Sequence, residues 1–392
     1  MADAPDQLLL TVSGKDHPGI TARLTGVLAH HGAEILDIDQ VVLHGRLTLC
    51  LRVALPPRHG ALRDLLIEAK AMGVALELEP LGPEDDGPSG AAWVVTALSP
   101  RLHAQGLHAL TRCLAEHNVN VEKVARLSED CLSSIELRVR LSPDVDPQAL
   151  RRELLALATE GGFDVALQPA SLYLRSKRLV VMDMDSTLIQ IEVIDELARR
   201  AGVVDRVSEI TERAMRGELD FNASLLERVA LLEGLEASAL TEIAQALPLT
   251  DGAERLLRVL RRLGFRTAVL SGGFDVPAEA LRERLGIDYA FANTLEVRDG
   301  RLTGRLVGPI VNAERKAELL EEIAEKEGIL PDQVIAVGDG ANDLLMLEKA
   351  GLGIAFRAKP KLREAADTSI SSTGLDGILY LLGINGRELR EA

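Results

Sequence analysis

Asp183 and Asp185 lie two positions apart in Asp183-Met184-Asp185-Ser186-Thr187, directly after the apolar run Leu179-Val180-Val181-Met182. Far downstream, Val334-Ile335-Ala336-Val337 stops in the same way at Gly338-Asp339-Gly340-Ala341-Asn342-Asp343. Short Val- and Ile-rich runs that end at acids read as buried parallel strands with carboxylates at their C-terminal ends. That is the edge at which open α/β sheets bind ligands. Carboxylates delivered there by two strands suit a hard cation, Mg²⁺ being the expected one, with room for a phosphate. A phosphate ester repels nucleophiles, so its charge must be neutralised before an aspartate can attack. Of the first pair, one carboxylate could then attack while the other faces the leaving group.

Two more features fall between these clusters. Arg266-Thr267-Ala268-Val269-Leu270 ends in Ser271-Gly272-Gly273, where a hydroxyl and unobstructed amides could take phosphate oxygens. A cation near a helix start, in Asn312-Ala313-Glu314-Arg315-Lys316, could counter phosphate charge; Arg315 and Lys316 are the two candidates. Each feature alone is ordinary. An Asp-x-Asp can be a helix cap, Ser-Gly-Gly or Gly-Asp-Gly a turn, and a helical lysine a solvated one. Their order along one segment makes chance a poor explanation.

The elements that must position them follow from the pattern. From about Lys177 the chain alternates strand and helix, predicting a doubly wound parallel, Rossmann-like sheet. A stretch of about 196–248 has helical periodicity and no strand, which predicts a helical cap over the strand ends. Upstream, two segments resemble each other. One has strand-like Leu8–Val12, a helix from about Ile20 to His31, strands near Ile35–Val42 and Leu47–Val53, and a helix near Leu62–Ala71. The other repeats this with Trp93–Leu98, Gly106–His117, Val119–Val124, Ile135–Leu141 and Pro147–Ala158. Both predict a ferredoxin-like βαββαβ plan. Gly82-Pro83-Glu84-Asp85-Asp86-Gly87-Pro88-Ser89-Gly90 reads as a linker, and Gln168-Pro169-Ala170-Ser171 as a second junction. The expected domains are 1–84, 90–172 and 177–392.

The chain has 392 residues, 47% hydrophobic and 27% charged, enough for several cores, which with 3% aromatics must be aliphatic. A net charge of −16 disfavours nucleic acid and anionic membrane as partners, so a phosphorylated substrate must be held by local cations and a metal. No apolar run approaches membrane-spanning length. Cys50, Cys113 and Cys131 lack CxxC spacing, and the opening residues lack a secretory pattern. A cytoplasmic protein with buried thiols is expected.

These motifs resemble those of the haloacid dehalogenase-like hydrolase superfamily. Asp183–Leu188 with Ile191–Glu196, Ala214–Phe221 and Leu226–Val229 resemble its phosphoserine phosphatase family in particular. The resemblance covers essentially 177–385. It implies that Asp183 is a nucleophile forming an aspartyl phosphate, and that Asp185 is the general acid and base. It also implies a metal held by Asp183, the Asp185 carbonyl and Asp339, with Asp343 positioning the shell directly or through water. Ser271, Gly272 and Lys316 would hold the phosphoryl group, with Asn342 beside them; the family's register favours Lys316 over Arg315. Glu192 and Arg228 would take the ammonium and carboxylate of phosphoserine, and Met215 and Phe221 would wall the pocket. The turn Gly14–Ile20 resembles that of ACT domains, implying an amino-acid effector near Asp16 and Gly19. The second copy has Ser99-Pro100-Arg101-Leu102-His103 there and is expected to be degenerate. A homodimer through these modules is expected, because small sheets leave an edge to cover.

Two other functions fit parts of the sequence. A phosphatase or phosphotransferase for another metabolite would not need the Glu192–Arg228 pair. An amino-acid-binding regulator with a vestigial hydrolase domain would not need Asp183, Asp185, Lys316 and Asp339 intact. Haloacid dehalogenation has no use for Asp185 or a metal shell.

Overall fold

The computed structural model describes residues 6–56, 60–82, 90–101, 103–128, 133–386 and 388. Most of the expected linker, 83–89, and Cys131 lie outside the described residues. The chain forms two compact units, Met1–Pro88 and Ser89–Ala392.

The first unit runs β1 (Asp6–Lys15), α1 (Ile20–His30), β2 (Glu34–Leu43), β3 (Arg46–Leu55), α2 (Ala61–Met72) and β4 (Ala75–Pro80). Its antiparallel sheet has the order β2-β3-β1-β4, and alternate residues of β1 and β3 meet Leu24, Leu28 and Leu65 of the helices in one aliphatic core. Strand β2 lies at the edge with Ile38, Val41 and Leu43 exposed, Leu43 by 65%. Helix α1 begins at Gly19, whose φ of 103° only glycine adopts freely, and no side chain caps it. Asp16 is exposed there, its amide bonded to the Gly45 carbonyl at 2.9 Å.

The second unit opens with the same plan: β5 (Ala91–Ser99), α3 (Ala104–Glu116), β6 (Asn120–Arg126), β7 (Ser133–Leu141), α4 (Pro147–Gly161) and β8 (Asp164–Pro169). It continues with β9 (Leu179–Met182) and four helices, α5 (Val193–Ala201), α6 (Val204–Met215), α7 (Phe221–Ala230) and α8 (Ser238–Gln245). After α9 (Ala253–Arg262) come β10 (Arg266–Phe274), α10 (Asp275–Leu285), the hairpin β11 (Tyr289–Arg298) and β12 (Arg301–Val307), and α11 (Ala313–Glu327). The last strands are β13 (Val334–Gly338), β14 (Leu352–Phe356) and β15 (Thr368–Ile370), with α12 (Leu344–Lys349) between β13 and β14.

One sheet of eleven strands runs through this unit in the order β12-β11-β10-β9-β13-β14-β15-β8-β5-β7-β6. The neighbouring strands β11, β10, β9, β13, β14 and β15 are parallel, β12 pairs antiparallel on the outer edge of β11, and β9 near the centre is wholly buried between helices on both faces. The βαββαβ sheet then joins its edge, β8 pairing antiparallel with β15 through Ala166–Thr368 and Val165–Ser369. Asp164 is buried beside that seam. Its carboxylate accepts the Ser371 amide at 2.7 Å and the Ser372 hydroxyl at 2.8 Å. The junction near Gln168–Ser171 therefore links parts of one compact body.

Candidate active site

Strand β9 ends one residue before Asp183, and the chain turns through Met184–Leu188 with Ser186 at φ 57°. The turn sets Asp185 back under the sheet edge beside its neighbour. Strand β13, adjacent to β9, ends one residue before Asp339, which places the second acidic cluster against the first. Carboxylate oxygens of Asp183, Asp339 and Asp343 lie within 4.8 Å of one another.

Lys316 enters from the first turn of α11, where Asn312 caps the helix by accepting the Arg315 amide at 3.0 Å. It is fully buried, its Nζ donating to Asp183 Oδ1 at 2.6 Å and to Asp343 Oδ1 at 2.7 Å. Arg315 points away to Glu318 and Glu322, at 3.0 and 2.6 Å. Burial alone would lower the Lys316 pKa, but the two carboxylates more than offset this and raise it. Asp343 spends its other oxygen on the amides of Asp339, at 3.2 Å, and Gly340, at 3.0 Å, and so holds the Gly-Asp-Gly loop in shape.

Asp185 is fixed from two sides, by the Val193 amide at the start of α5 at 2.8 Å and by the Ser271 hydroxyl at 3.1 Å. Burial first, and then the Glu192 charge, push its carboxyl up to about 7. Burial and Asp343 carry Asp339 to about 7 also, and burial with Asp343 raises Asp183 well above the usual range. Three clustered carboxylates served by one buried lysine keep an excess of negative charge, and their oxygen donors fit a hard divalent cation.

The glycines after Ser271 have a reason the sequence did not disclose. A Cβ on Gly273 would stand 2.4 Å from Asp185 Oδ2, and one on Gly272 would stand 2.8 Å from the tip of the Phe221 ring. Glycine at these positions makes room for the Asp185 carboxylate and for the Phe221 ring of the helical layer.

A cavity of about 270 Å³ opens above the carboxylates. Asp183, Asp185 and Asp339 form its floor, and Glu192, Phe221 and Arg228 reach it from the helical layer. Ser186 donates to Glu192 at 2.7 Å, while Arg228 Nε donates to the Ser224 carbonyl at 3.2 Å. Burial lowers the Arg228 pKa against the pull of Glu192 and Asp195. Gly272 and Asn342 also line the cavity, and Ser271 lies buried beneath it. Met215 does not line it. It is 66% exposed and borders a wider mouth of about 750 Å³ between α6, α7 and the loop at Gly340–Asn342. Met215 sits at the outer end of α6 and so lines this mouth, which shares Phe221 and Arg228 with the inner cavity.

Three residues escaped the sequence reading. Asn293 on β11 is buried, donates to the Gly272 carbonyl at 2.8 Å and accepts the Val311 amide at 2.8 Å, tying the Ser271–Gly273 turn to the approach of α11. Thr187 donates to Asp339 at 3.4 Å, and Lys359 lines the cavity wall. Buried Asn inside a strand is itself a signal, since it needs partners for both ends of its amide. Hairpin β11–β12, turning at Asp299-Gly300, braces the cap through Arg301, which donates to Glu236 at 3.0 Å.

A haloacid dehalogenase-like hydrolase family model matches residues 177–351, and ACT domain models match 6–79 and 91–168. The phosphoserine phosphatase of Streptomyces coelicolor is 46% identical, with 100% of this chain and 95% of that protein aligned. Phosphoserine phosphatase SerB2 of Mycobacterium tuberculosis is 45% identical over 98% and 95%. Among solved structures, a HAD family hydrolase from Salmonella enterica serovar Typhi superposes with a TM-score of 0.65 at 34% identity, over 74% of this chain and 98% of that one. The likeness spans the acidic strand ends, the helices above them and the paired modules upstream: the chain belongs to the phosphoserine phosphatase family of haloacid dehalogenase-like hydrolases, with two ACT domains preceding the catalytic domain.

Proposed function

We propose that this protein hydrolyses O-phospho-L-serine to L-serine and phosphate, the closing step of serine synthesis, with Mg²⁺ as cofactor. One observation carries the reading: a single cavity joins the Asp183–Asp185 pair to an acid, Glu192, and a cation, Arg228. Those two match the ammonium and carboxylate of an amino acid, and a pocket that buries them disfavours esters lacking either group.

Asp183 attacks phosphorus, forming the aspartyl phosphate as the bond from phosphorus to the seryl oxygen breaks. Lys316 holds its Oδ1, which leaves Oδ2 for the attack. Asp185, with a carboxyl that keeps its proton into the neutral range, protonates the departing seryl oxygen. The resulting carboxylate then takes a proton from water, whose oxygen attacks phosphorus and frees Asp183. Ser271, the Gly272 amide, Lys316 and Asn342 stabilise charge on the phosphoryl oxygens. Asp183 and Asp339 would hold the ion, with Asp343 setting the loop and the Asp185 carbonyl completing the protein's share. Bound there, Mg²⁺ supplies neutralising charge for both the nucleophile and the phosphate.

We further assign the first ACT domain an amino-acid effector site at Asp16 and Gly19, a cytoplasmic setting, and a homodimer through the N-terminal modules. The exposed apolar residues of β2 support the dimer.

Phosphate release from O-phospho-L-serine, with and without Mg²⁺, tests the function in the wild type and Asp183→Asn. Metal-dependent turnover, abolished in the variant and weak with phosphoethanolamine or 3-phosphoglycerate, is expected. Turnover of those two esters as fast as phosphoserine would remove the substrate assignment.

A further inference from the structure

A second group of metal-type ligands lies outside the catalytic cavity, on the helices of the second ACT domain. Cys113 in the last turn of α3 and His117, the residue that caps it, are one turn apart, and Glu153 meets them from α4. The Cys113 sulfur, a His117 ring nitrogen and a Glu153 carboxylate oxygen all lie within 4.8 Å of one another. Glu153 Oε2 is 2.7 Å from His117 Nε2, and the carboxylate also interacts with the Cys113 thiol. Cys113 is buried in the core with Leu110 and Leu114, whereas the side chains of His117 and Glu153 are 27% and 50% exposed.

We propose that Cys113, His117 and Glu153 form a Zn²⁺ site that clasps α3 to α4, with water as the fourth ligand. The donors decide the ion. A thiolate and an imidazole are poor ligands for Mg²⁺, while sulfur, nitrogen and one carboxylate suit four-coordinate zinc. Bonds of about 2.0–2.3 Å place tetrahedral ligand atoms about 3.3–3.8 Å apart. The present separations, all within 4.8 Å, bracket that range, and the His117–Glu153 contact at 2.7 Å must open to admit the ion. The exposed side of the triad gives both the entry path and the water position.

Binding replaces the S–H bond of Cys113 by a sulfur–zinc bond and releases one proton to solvent, with no change of oxidation state. It also exchanges the His117–Glu153 hydrogen bond for two metal bonds. Burial, and then Glu153, push the Cys113 thiol up to about 11 in the metal-free protein. Glu116 and Arg112 face the thiol from α3 itself, paired with each other at 3.5 Å.

The test is a Co²⁺ titration of the full chain in excess Mg²⁺, read by the thiolate-to-cobalt charge-transfer absorption. One equivalent should produce the band with tetrahedral visible transitions, and one equivalent of Zn²⁺ should bleach it. Cys113→Ser and His117→Ala should each abolish the band while phosphate release in Mg²⁺ stays unchanged. His117 is at the surface, so its replacement tests the site even if Cys113→Ser folds poorly. A band that never appears, or that survives either substitution, overturns the proposal.

Discussion

Replacing Gly273 by alanine isolates one methyl group at the heart of the chemistry. Its backbone does not lie in the left-handed region, so alanine is conformationally permitted and only the added carbon matters. That carbon would stand 2.4 Å from Asp185 Oδ2 and 3.0 Å from Ser271 Oγ. Contacts under 3.0 Å are essentially unknown for Cβ, so the carboxylate must retreat by at least about 0.6 Å. The retreat strains both bonds that aim Asp185, at 2.8 Å to Val193 and 3.1 Å to Ser271. A misplacement approaching 1 Å costs about 100-fold in rate, or about 2.7 kcal/mol of barrier. Steady-state kinetics on phosphoserine should therefore show kcat down about 100-fold, with KM within about threefold because Glu192 and Arg228 are untouched. Gly272→Ala is the comparison: its methyl meets the tip of the Phe221 ring at 2.8 Å and should act mainly on KM through the cap. A Gly273→Ala enzyme that keeps kcat within threefold would refute the steric argument and return these glycines to the role of a flexible turn.

Lys316→Met removes the cation between two buried carboxylates and should destabilise the second unit by about 3–5 kcal/mol, less at pH 5 than at pH 8; melting curves at both pH values decide it. In metal-free enzyme, Asp185 and Asp339 bind protons more tightly when folded, up to about 7 against the usual 3.8. The stability they contribute is full below about pH 4 and lost as pH rises through 7, at no more than about 1.4 kcal/mol per pH unit for each carboxyl. Tm should thus fall from pH 5 to pH 8 in chelator, and Mg²⁺ should flatten the slope. Asp164→Ala strips the acceptor from the Ser371 amide and the Ser372 hydroxyl beside the sheet seam. It should cost about 2–4 kcal/mol in a denaturant titration without altering KM for phosphoserine.

The acid-terminated strands were legible because β9 and β13 are buried on both faces and read as unbroken apolar runs before Asp183 and Asp339. Lys316 could be told from Arg315 only through family register, since both stand in the first turn of a charged helix; the fold separates them by which side of α11 faces the sheet. The closing strand of each βαββαβ module went unassigned, although Leu76 and Leu78 alternate with Glu77 and Glu79 in β4. Strand β15 has three residues, too few for a period to register, and so the seam it forms with β8 could not be foreseen. Asn293 was hidden because its importance lies in two backbone partners far away in sequence.

The eleven-stranded sheet also determines how this protein can be divided. A cut between the first and second units, near Pro88, breaks no rung of hydrogen bonds in the large sheet. A cut between Ala170 and Lys177 would look equally natural on a domain map, yet it would strip β8 from β15 and bare the three-residue edge Thr368–Ile370. It would also leave Ser371 and Ser372 without the Asp164 carboxylate that receives them. Such a fragment presents a raw strand to any neighbour, which is the geometry of edge-to-edge aggregation. The second ACT domain is in this sense part of the sheet that carries the catalytic strands, and a fragment cut between Ala170 and Lys177 is expected to aggregate more readily than one that begins before Ala91.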